Sequence, residues 1–317
     1  MNINLRVAAA ALLASISAPA FACSTCGCNL TADWLNQGIT ADDQTTLSLR
    51  YDYVPQTQLR SGTSVADRAT FALPNDLEIE QYTYNHYVTA SLDHSFGHNW
   101  AINVQLPYLD RPHKTVSPGD TDPSYSETSG LGDVRVSARY QGFGGPGVTG
   151  VQFGLKLPTG VISQNFKAGP SAGQIADTTL QVGQGTTNAI LGFYHLGTMA
   201  RNFDYLVQVQ GDVPLNARAQ YRPGDAATVS VGTHYLGWRG VTPQLIFNLR
   251  LASRDSGLNA DTVNTGGEQL YVAPGLSFKL AKRVTGFAIV QLPLYERVNG
   301  LQITPHETVS VGLSYRM

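Results

Sequence analysis

The sequence has no cysteine after residue 28, few charged residues, and no long hydrophobic run beyond its first 22 residues. Only 14% of the 317 residues are charged, well below the roughly 25% of a soluble domain. No segment approaches the roughly 18 apolar residues that predict a transmembrane helix, so a helical membrane protein is excluded. The net charge of −2 and the lack of a basic stripe exclude nucleic-acid binding.

The first 22 residues have the three parts of a secretory signal peptide. Arg6 precedes an apolar run at 7–16, which is too short to cross a membrane as a helix. The sequence AFA at 20–22 then supplies the small residues that precede a cleavage site. We therefore expect a mature chain that begins at Cys23 and that is secreted, periplasmic or inserted in an outer membrane.

Beyond residue 43 the hydrophobic pattern has a period of two, which is typical of β-strands. In TTLSLRYDY (45–53), leucine and tyrosine alternate with threonine, serine, arginine and aspartate. DVRVSARYQ (133–141) and TVSVGLSYR (308–316) alternate in the same way. The polar face is rich in Gly, Ser and Thr and carries charges, which suits a wet interior better than a dry core.

Twelve such segments are separated alternately by short turns and long polar loops. They span residues 43–54, 81–95, 100–112, 131–143, 148–158, 184–196, 203–215, 226–238, 240–253, 269–280, 284–297 and 306–316. An even number of strands of about ten residues with this loop pattern is the layout of an outer-membrane barrel. We therefore predict an all-β, transmembrane, antiparallel up-and-down β-barrel of about 12 strands over residues 43–317.

The long loops all follow odd-numbered strands. If the first strand starts in the periplasm, the loops emerge outside the cell and both termini are periplasmic. The alternative of a periplasmic β-sandwich is less favoured, because its hidden face would bury Arg135, Arg139, Lys156 and Arg250. We expect the protein to lie in the outer-membrane lipid of a Gram-negative cell, with a small-molecule solute as its partner.

The charges of the polar faces are the candidate lining of a pore. The predicted pore-lining residues are Arg50, Asp52, Asp133, Arg135, Arg139, Lys156, Asp204, Arg250, Lys279 and Arg316. Because both signs occur, the sequence indicates cross-linked wall charges rather than a strongly anion- or cation-selective pore. No combination of serine, histidine and acid matches a known hydrolase motif, so we predict no catalytic residues and no enzyme.

Two closely spaced motifs, SGLGDVRVSARYQGF (129–143) and VQFGLKLPTG (151–160), resemble the outer-membrane family labelled MetA pathway of phenol degradation. The resemblance is strongest over residues 100–215. It implies a single-chain barrel that takes up small molecules, hydrophobic or aromatic ones among them, as a transporter. The chain departs from this pattern in its N-terminal cysteines, and it ends in Met317 where outer-membrane barrels usually have an aromatic residue.

All three cysteines lie within six residues, at Cys23, Cys26 and Cys28. Three thiolates at this spacing can bind one soft ion, Cu(I) or Zn(II), and this is the favoured interpretation. In an oxidising periplasm, two of them can instead form a disulfide and leave one free thiol. Lipidation of Cys23 is a third alternative, although Ala20 stands where a lipobox normally has leucine. A metal site would imply a periplasmic metal or thiol-redox partner.

Residues 23–42 are predicted to form a periplasmic tail or plug. Within it, NLTADWLNQG (29–38) is typical of a short helix that begins at Thr31 and ends at Gly38. His86, His94 and His98 lie near the second strand and its turn. His94 or His98 could join a metal site at the rim, but we interpret all three as ordinary rim or girdle residues.

Three functional hypotheses follow from the sequence. The favoured one is an outer-membrane channel or transporter for small solutes with a metal- or redox-responsive tail. The second is a metal-binding (copper or zinc) or redox protein for which the barrel is mainly an anchor. The third is a structural outer-membrane protein whose lumen is closed by its own side chains.

Overall fold

The computed structural model of the chain describes residues 44–97, 99–145 and 147–317. The predicted signal peptide, the cysteine-bearing tail and His98 lie outside these ranges. The described chain forms a closed antiparallel β-barrel of 12 strands with almost no helix, as the period-two pattern predicts. Within the same ranges, no helix is long and apolar enough to span a membrane.

The strands follow one another around the wall in sequence order. They are β1 (Thr45–Gly62), β2 (Ser64–Val65), β3 (Ile79–Phe96), β4 (Trp100–Val116), β5 (Ser124–Leu131), β6 (Arg135–Tyr140), β7 (Val148–Lys156), β8 (Phe166–Ala168), β9 (Asn188–Ala200), β10 (Phe203–Pro214), β11 (Ala226–Tyr235), β12 (Val241–Ala252), β13 (Gly267–Lys279), β14 (Val284–Pro305) and β15 (Thr308–Arg316). Short 3₁₀ turns occur at Arg68–Thr70 and Thr178–Leu180. β2 and β8 belong to loops, and β5 with β6 forms one barrel strand that is interrupted at residues 132–134.

The barrel closes between its first and last strands. Thr46 to Tyr53 of β1 pair with Arg316 to Val309 of β15. Farther along β1, the residues Gln58 to Ser61 pair with Thr304 to Leu301. The chain of β14 therefore reverses direction near Gly300, and its last residues continue the line of β15. Gly300 has a φ of 61°, a conformation that favours glycine. The prediction of a loop at 298–305 is therefore wrong, because this segment is a hairpin.

Several strands are longer than predicted. β1 continues to Gly62 and β4 to Val116, where the sequence predicts loops that start at 55 and 113. Pro55 is a signal for a strand end, yet it lies within the wall opposite Tyr84. The predicted strand at 131–143 is also wrong in its bounds, because the wall is broken between β5 and β6.

We call the end of the barrel with the short connections the turn end and the opposite end the loop end.

The apolar faces of the strands point outward and the polar faces point inward. On β1, Leu47 is 46% exposed and Leu49 is 54% exposed. Ser48 and Asp52, on the other face of the same strand, are only 6% and 8% exposed. Aromatic side chains flank this apolar surface at both ends. The turn-end band contains Phe96, Trp100, Tyr140, Phe203 and Tyr235, and the loop-end band contains Tyr51, Tyr53, Tyr82, Tyr84 and His86. An apolar belt between two aromatic girdles is the outer surface of a membrane barrel.

Part of the interior is filled by side chains of the wall itself. Ile246, Ala273, Phe287 and Ile289 of β12, β13 and β14 form a buried apolar cluster. This cluster occupies one side of the lumen toward the turn end. The open part of the lumen therefore lies against the opposite wall, which β3, β4, β6 and β7 supply.

Candidate functional site: a charged cavity in the lumen

The long connection between β7 and β9 folds into the barrel. We call its residues 177–184 the inner segment. Val182 packs against Val54, Tyr87 and Leu109 of the inner wall. The hydroxyl of Thr128 also donates a hydrogen bond of 2.5 Å to the carbonyl oxygen of Leu180. The inner segment thus narrows the lumen from the loop end.

Arg111 holds the inner segment against the wall. Its Nη1 donates to the carbonyl oxygens of Thr179 at 2.7 Å and Gln181 at 3.2 Å. Its Nε donates to Oδ1 of Asn85 at 2.6 Å, and its Nη2 donates to the hydroxyl of Tyr87 at 3.0 Å. The planar guanidinium can make all of these bonds at once, which a lysine could not do.

The GLGD and LPTG motifs meet at the second attachment of the inner segment. Asp133 accepts hydrogen bonds from the backbone N–H groups of Gly160 at 3.0 Å and Gln184 at 2.9 Å, one on each carboxylate oxygen. Thr159 donates to the carbonyl oxygen of Gly132 and accepts from the N–H of Val134, both at 2.9 Å. These bonds bridge the break between β5 and β6. We call this arrangement the motif latch.

Below the inner segment lies a cavity of about 230 Å³. Its lining is mostly polar, with an apolar patch beside the inner segment. Six of the sequence-predicted pore residues line it, namely Arg50, Asp133, Arg135, Arg139, Lys156 and Arg250. The cavity is smaller than most ligand sites, which commonly measure about 300–1,000 Å³.

The other four predicted pore residues lie elsewhere in the barrel. Asp52 is buried beside the cavity, where it accepts from Nε of Arg50 at 2.7 Å and from the hydroxyl of Ser310 at 2.6 Å. Asp204 is half-buried near the turn end and accepts from the hydroxyl of Thr198 at 2.8 Å. Lys279 and Arg316 are exposed at the turn end. The structure therefore brings six of the ten to one cavity and Asp52 to its edge.

Two ion pairs cross the lumen walls. Arg139 lies 2.8 Å from Asp93, and both side chains are almost completely buried. Arg135 lies 2.6 Å from Asp212, and the second oxygen of Asp212 accepts from Nδ2 of Asn188 at 2.5 Å. These pairs hold the charged side chains in place against the wall.

Sequence reasoning missed three side chains of the site. Arg111 and Asp212 both follow the period-two phase of the polar faces, so the same pattern could have found them. Gln184 is the first residue of the predicted strand 184–196, but this start is wrong, because β9 begins at Asn188 and Gln184 lies in the inner segment. Its amide oxygen accepts a hydrogen bond from Nζ of Lys156.

A second, smaller cavity of about 50 Å³ lies toward the loop end. Gln184, Gly224 and Arg250 line both cavities. These three residues therefore form the partition between the two spaces. A solute that moved between the loop end and the larger cavity would pass beside Arg250.

Buried carboxyl groups lie above the loop-end girdle, outside the membrane-spanning part of the strands. Glu80 is 1% exposed, and neither of its oxygens makes a hydrogen bond of ordinary geometry with a described residue. Burial, with a further contribution from the charge of Asp177, raises the pKa of Glu80 to about 8, although the nearby Ile303 backbone and Arg68 oppose this shift. Burial, reinforced by Asp261, raises the pKa of Asp177 to about 7.

Within the described residues, no group of three or more His, Cys, Asp or Glu side chains is arranged to hold a metal ion. The three cysteines lie outside the described residues, so the metal site predicted there stays a prediction. His86 belongs to the loop-end girdle, where it bonds to the hydroxyl of Tyr51 at 2.8 Å. His94 bonds to Thr45 at 2.7 Å near the turn end.

Comparison with solved structures assigns the fold. The COG4313 outer membrane channel from Pseudomonas putida F1 matches with a TM-score of 0.63 and 10% sequence identity, over 87% of this chain and 96% of that chain. The chain has the fold of an outer-membrane barrel. The translocator domain of autotransporter NalP from Neisseria meningitidis matches with a TM-score of 0.52 and 8% identity, over 89% of this chain and 91% of that domain. No family model matches the sequence, and no curated protein matches it.

Proposed function

We propose that the protein is an outer-membrane channel or transporter for small solutes. The observation that carries this proposal is the cavity of about 230 Å³ in the lumen, lined by charged and polar side chains of the wall. A purely structural barrel could fill its interior with packed side chains, as Ile246 and Phe287 do on the opposite side. The long loops would lie outside the cell, and both termini would be periplasmic.

The inner segment is the gate of this proposed channel. It narrows the lumen, and it is held by side chains rather than by strand pairing: Arg111 on one side and Asp133 on the other. Hydrogen bonds of this kind can break without disturbing the wall. Movement of the segment would widen the path from the loop end to the cavity.

The solute class follows from the sequence resemblance and from the cavity wall. The GLGD and LPTG motifs resemble a family of uptake barrels, and both motifs form the latch that positions the gate. Tyr87, Leu109 and Val182 give the cavity an apolar side. We propose that the solute is small and carries a hydrophobic or aromatic part, and that the protein is a transporter and not an enzyme.

A planar-bilayer recording of the purified protein tests the proposal. We expect discrete conductance steps, and liposomes that contain the protein should swell in solutions of small solutes but not of large sugars. Folding is verified first by the altered gel migration of the unheated barrel. A folded barrel that neither conducts ions nor admits small solutes would support the structural hypothesis instead.

A second activity is proposed from the sequence alone. The confinement of Cys23, Cys26 and Cys28 to six residues favours a site for one thiophilic ion on the N-terminal tail. Such a tail would let the channel respond to metal or to thiol redox state. If the barrel proves closed, the same observation favours a metal-binding protein that uses the barrel as an anchor.

A further inference from the structure

We propose that the lumen cavity is a site for small organic anions, and that Arg135, Lys156 and Arg250 recognise the carboxylate of the solute. This inference rests on the channel function proposed above and names its solute class. It revises the expectation from the sequence that the mixed charges give no strong ion preference.

The three cations line one cavity together with Asp212. Arg135 and Lys156 face each other on β6 and β7, where their backbones are directly paired. Arg250 approaches from β12 on the other side of the lumen. The charges of all three act on the carboxylate of Asp212, and Arg135 contacts it. The lining holds six basic side chains and two carboxylates, those of Asp133 and Asp212, so the cavity wall carries a net positive charge.

Each oxygen of Asp212 already accepts one hydrogen bond, and the single negative charge of Asp212 cannot neutralise three cations. One of its oxygens lies 2.6 Å from Nη2 of Arg135, and the other accepts from Asn188 at 2.5 Å. Lys156 is bonded to the neutral amide of Gln184. Arg250 lines the cavity and makes no hydrogen bond or ion pair with any residue in the described ranges. A guanidinium in this state presents the planar fork that carboxylates bind in a bidentate manner.

Apolar side chains also line the same cavity. They are Pro107, Leu109, Val182 and Ile190, together with the ring of Tyr87. Ile190 is paired with Asp212 across β9 and β10, so part of this apolar surface lies directly beside the cations. A site that combines cations with aliphatic and aromatic surface fits a solute with a carboxylate and a compact apolar body. The volume of about 230 Å³ restricts that body to a small one.

Arg250 also lies on the path into the cavity. Together with Gln184 and Gly224, it separates the larger cavity from the smaller one toward the loop end. A charge at a narrow point acts on every ion that passes, and low-dielectric walls strengthen the effect. Arg250 is therefore placed to select for anions as well as to bind them.

The first test is the reversal potential of the channel in a salt gradient, measured with potassium chloride. The wild type should prefer chloride over potassium. Arg250→Gln should lower the ratio of anion to cation permeability at least about threefold, because one uncompensated charge is lost at the narrow point. Lys282→Gln, in the exposed turn between β13 and β14, is the matched control and should leave the ratio unchanged. A wild-type channel without anion preference, or an unchanged ratio in Arg250→Gln, would overturn the proposal.

The second test uses benzoate and its uncharged analogue benzamide as blockers of the chloride current. Benzoate should block the wild type at concentrations where benzamide does not. Arg250→Gln should raise the half-blocking concentration of benzoate about tenfold, as expected for the loss of a charge-assisted hydrogen bond. Equal block by the two compounds, or equal benzoate block in the variant, would overturn the proposal.

Failure of the channel itself is distinguishable from failure of the anion site. A folded barrel that conducts nothing contradicts the channel proposal alone. Binding of radiolabelled benzoate to that barrel, lost in Arg250→Gln and kept in Lys282→Gln, would still support the site. Absence of binding in the wild type would overturn it.

Discussion

Asp133 accepts a hydrogen bond from the backbone N–H of Gly160 at 3.0 Å, and this contact joins the two motifs that stand out in the sequence. A Cβ atom on Gly160 would lie 2.6 Å from the Cα of Gly183, so only glycine allows the two chain segments to approach this closely. The second oxygen of Asp133 accepts from the N–H of Gln184. The carboxylate therefore ties the start and the end of the inward-folded connection to the wall.

We predict that Asp133→Asn loosens the inner segment and leaves the barrel folded. An asparagine amide can accept only one of the two hydrogen bonds, and its NH₂ group would face the other backbone N–H. Loss of such a bond at a partly buried site costs about 1–3 kcal/mol. Single-channel recordings should show larger or more frequent openings than in the wild type.

Asp76→Asn is the matched control for this change, because Asp76 is an exposed residue of the loop before β3. Its recordings should be indistinguishable from those of the wild type. The gating role of the motif latch would be contradicted if Asp133→Asn behaved in the same way as this control.

Arg139→Gln should destabilise the barrel strongly. Arg139 lies 2.8 Å from Asp93, and the two side chains are 4% and 5% exposed. Removal of the cation leaves a buried carboxylate without compensation, which typically costs about 3–5 kcal/mol. Urea titration of the barrel in lipid vesicles measures this loss. The double variant Asp93→Asn/Arg139→Gln should recover most of it. Additive losses in the double variant would show that the ion pair is not the source.

Val136→Arg tests the outward face of the same strand. Val136 belongs to β6 and is exposed on the barrel surface, one pleat away from the inward side chains. A charge placed there should cost about 2–4 kcal/mol if it lies near the membrane midplane. Val136→Leu keeps the face apolar and should fold like the wild type. Equal tolerance of arginine and leucine would mean that this face does not contact lipid.

The wall of the barrel could be predicted from the sequence because alternation carries the information. The apolar Leu47 points outward and the polar Ser48 points inward, and the same rule holds along each strand. Six of the ten predicted charges therefore reach the cavity. Lys279 and Arg316 also alternate with apolar residues as inward-facing side chains do, but they lie at strand ends. Alternation shows which face of the wall a side chain is on and does not show how far along the barrel axis it lies.

The inner segment could not be predicted, because nothing periodic marks a loop that folds inward. Thr179 and Gln181 are held through their backbone carbonyl oxygens, which every residue type provides. Arg111 could have been predicted from its place in the alternating pattern, but its hydrogen-bond partners could not.

The hairpin at 298–305 could not be predicted for a different reason. Leu301 and Ile303 do alternate with polar residues, but the stretch is too short to distinguish from a loop.

We predict that Glu80 makes the protein less stable at alkaline pH. Burial raises the pKa of this carboxyl to about 8, and the charges of Asp177 and Asp261 reinforce the shift while Arg68 opposes it. A carboxyl whose pKa is higher in the folded state binds more protons there than in the unfolded state. Stability should therefore fall as the pH rises from about 4.5 to about 8 and then level off.

Glu80→Gln should remove much of this pH dependence, because glutamine cannot ionise. The variant should melt at a higher temperature than the wild type at pH above 8. Each kcal/mol shifts Tm by about 2–4 °C in a protein of roughly 150–250 residues, and the shift is smaller in a longer chain. Glu127→Gln, which changes an exposed carboxylate in β5, is the control and should keep the wild-type profile. Parallel pH profiles for Glu80→Gln and the wild type would exclude Glu80 as the titrating group.

The last prediction concerns the tail that precedes the barrel. Cys23, Cys26 and Cys28 should bind one Cu(I) or Zn(II) ion as thiolates, so metal affinity should fall as the pH drops and the thiols regain their protons. Replacement of all three by serine should abolish metal uptake and leave the heat-modifiable migration of the barrel unchanged. Metal stoichiometry and free-thiol counts on protein kept under reductant provide the measurement. Metal retained by the triple serine variant would place the site elsewhere. One disulfide, one free thiol and no metal in protein isolated from cells would replace the metal site with a disulfide.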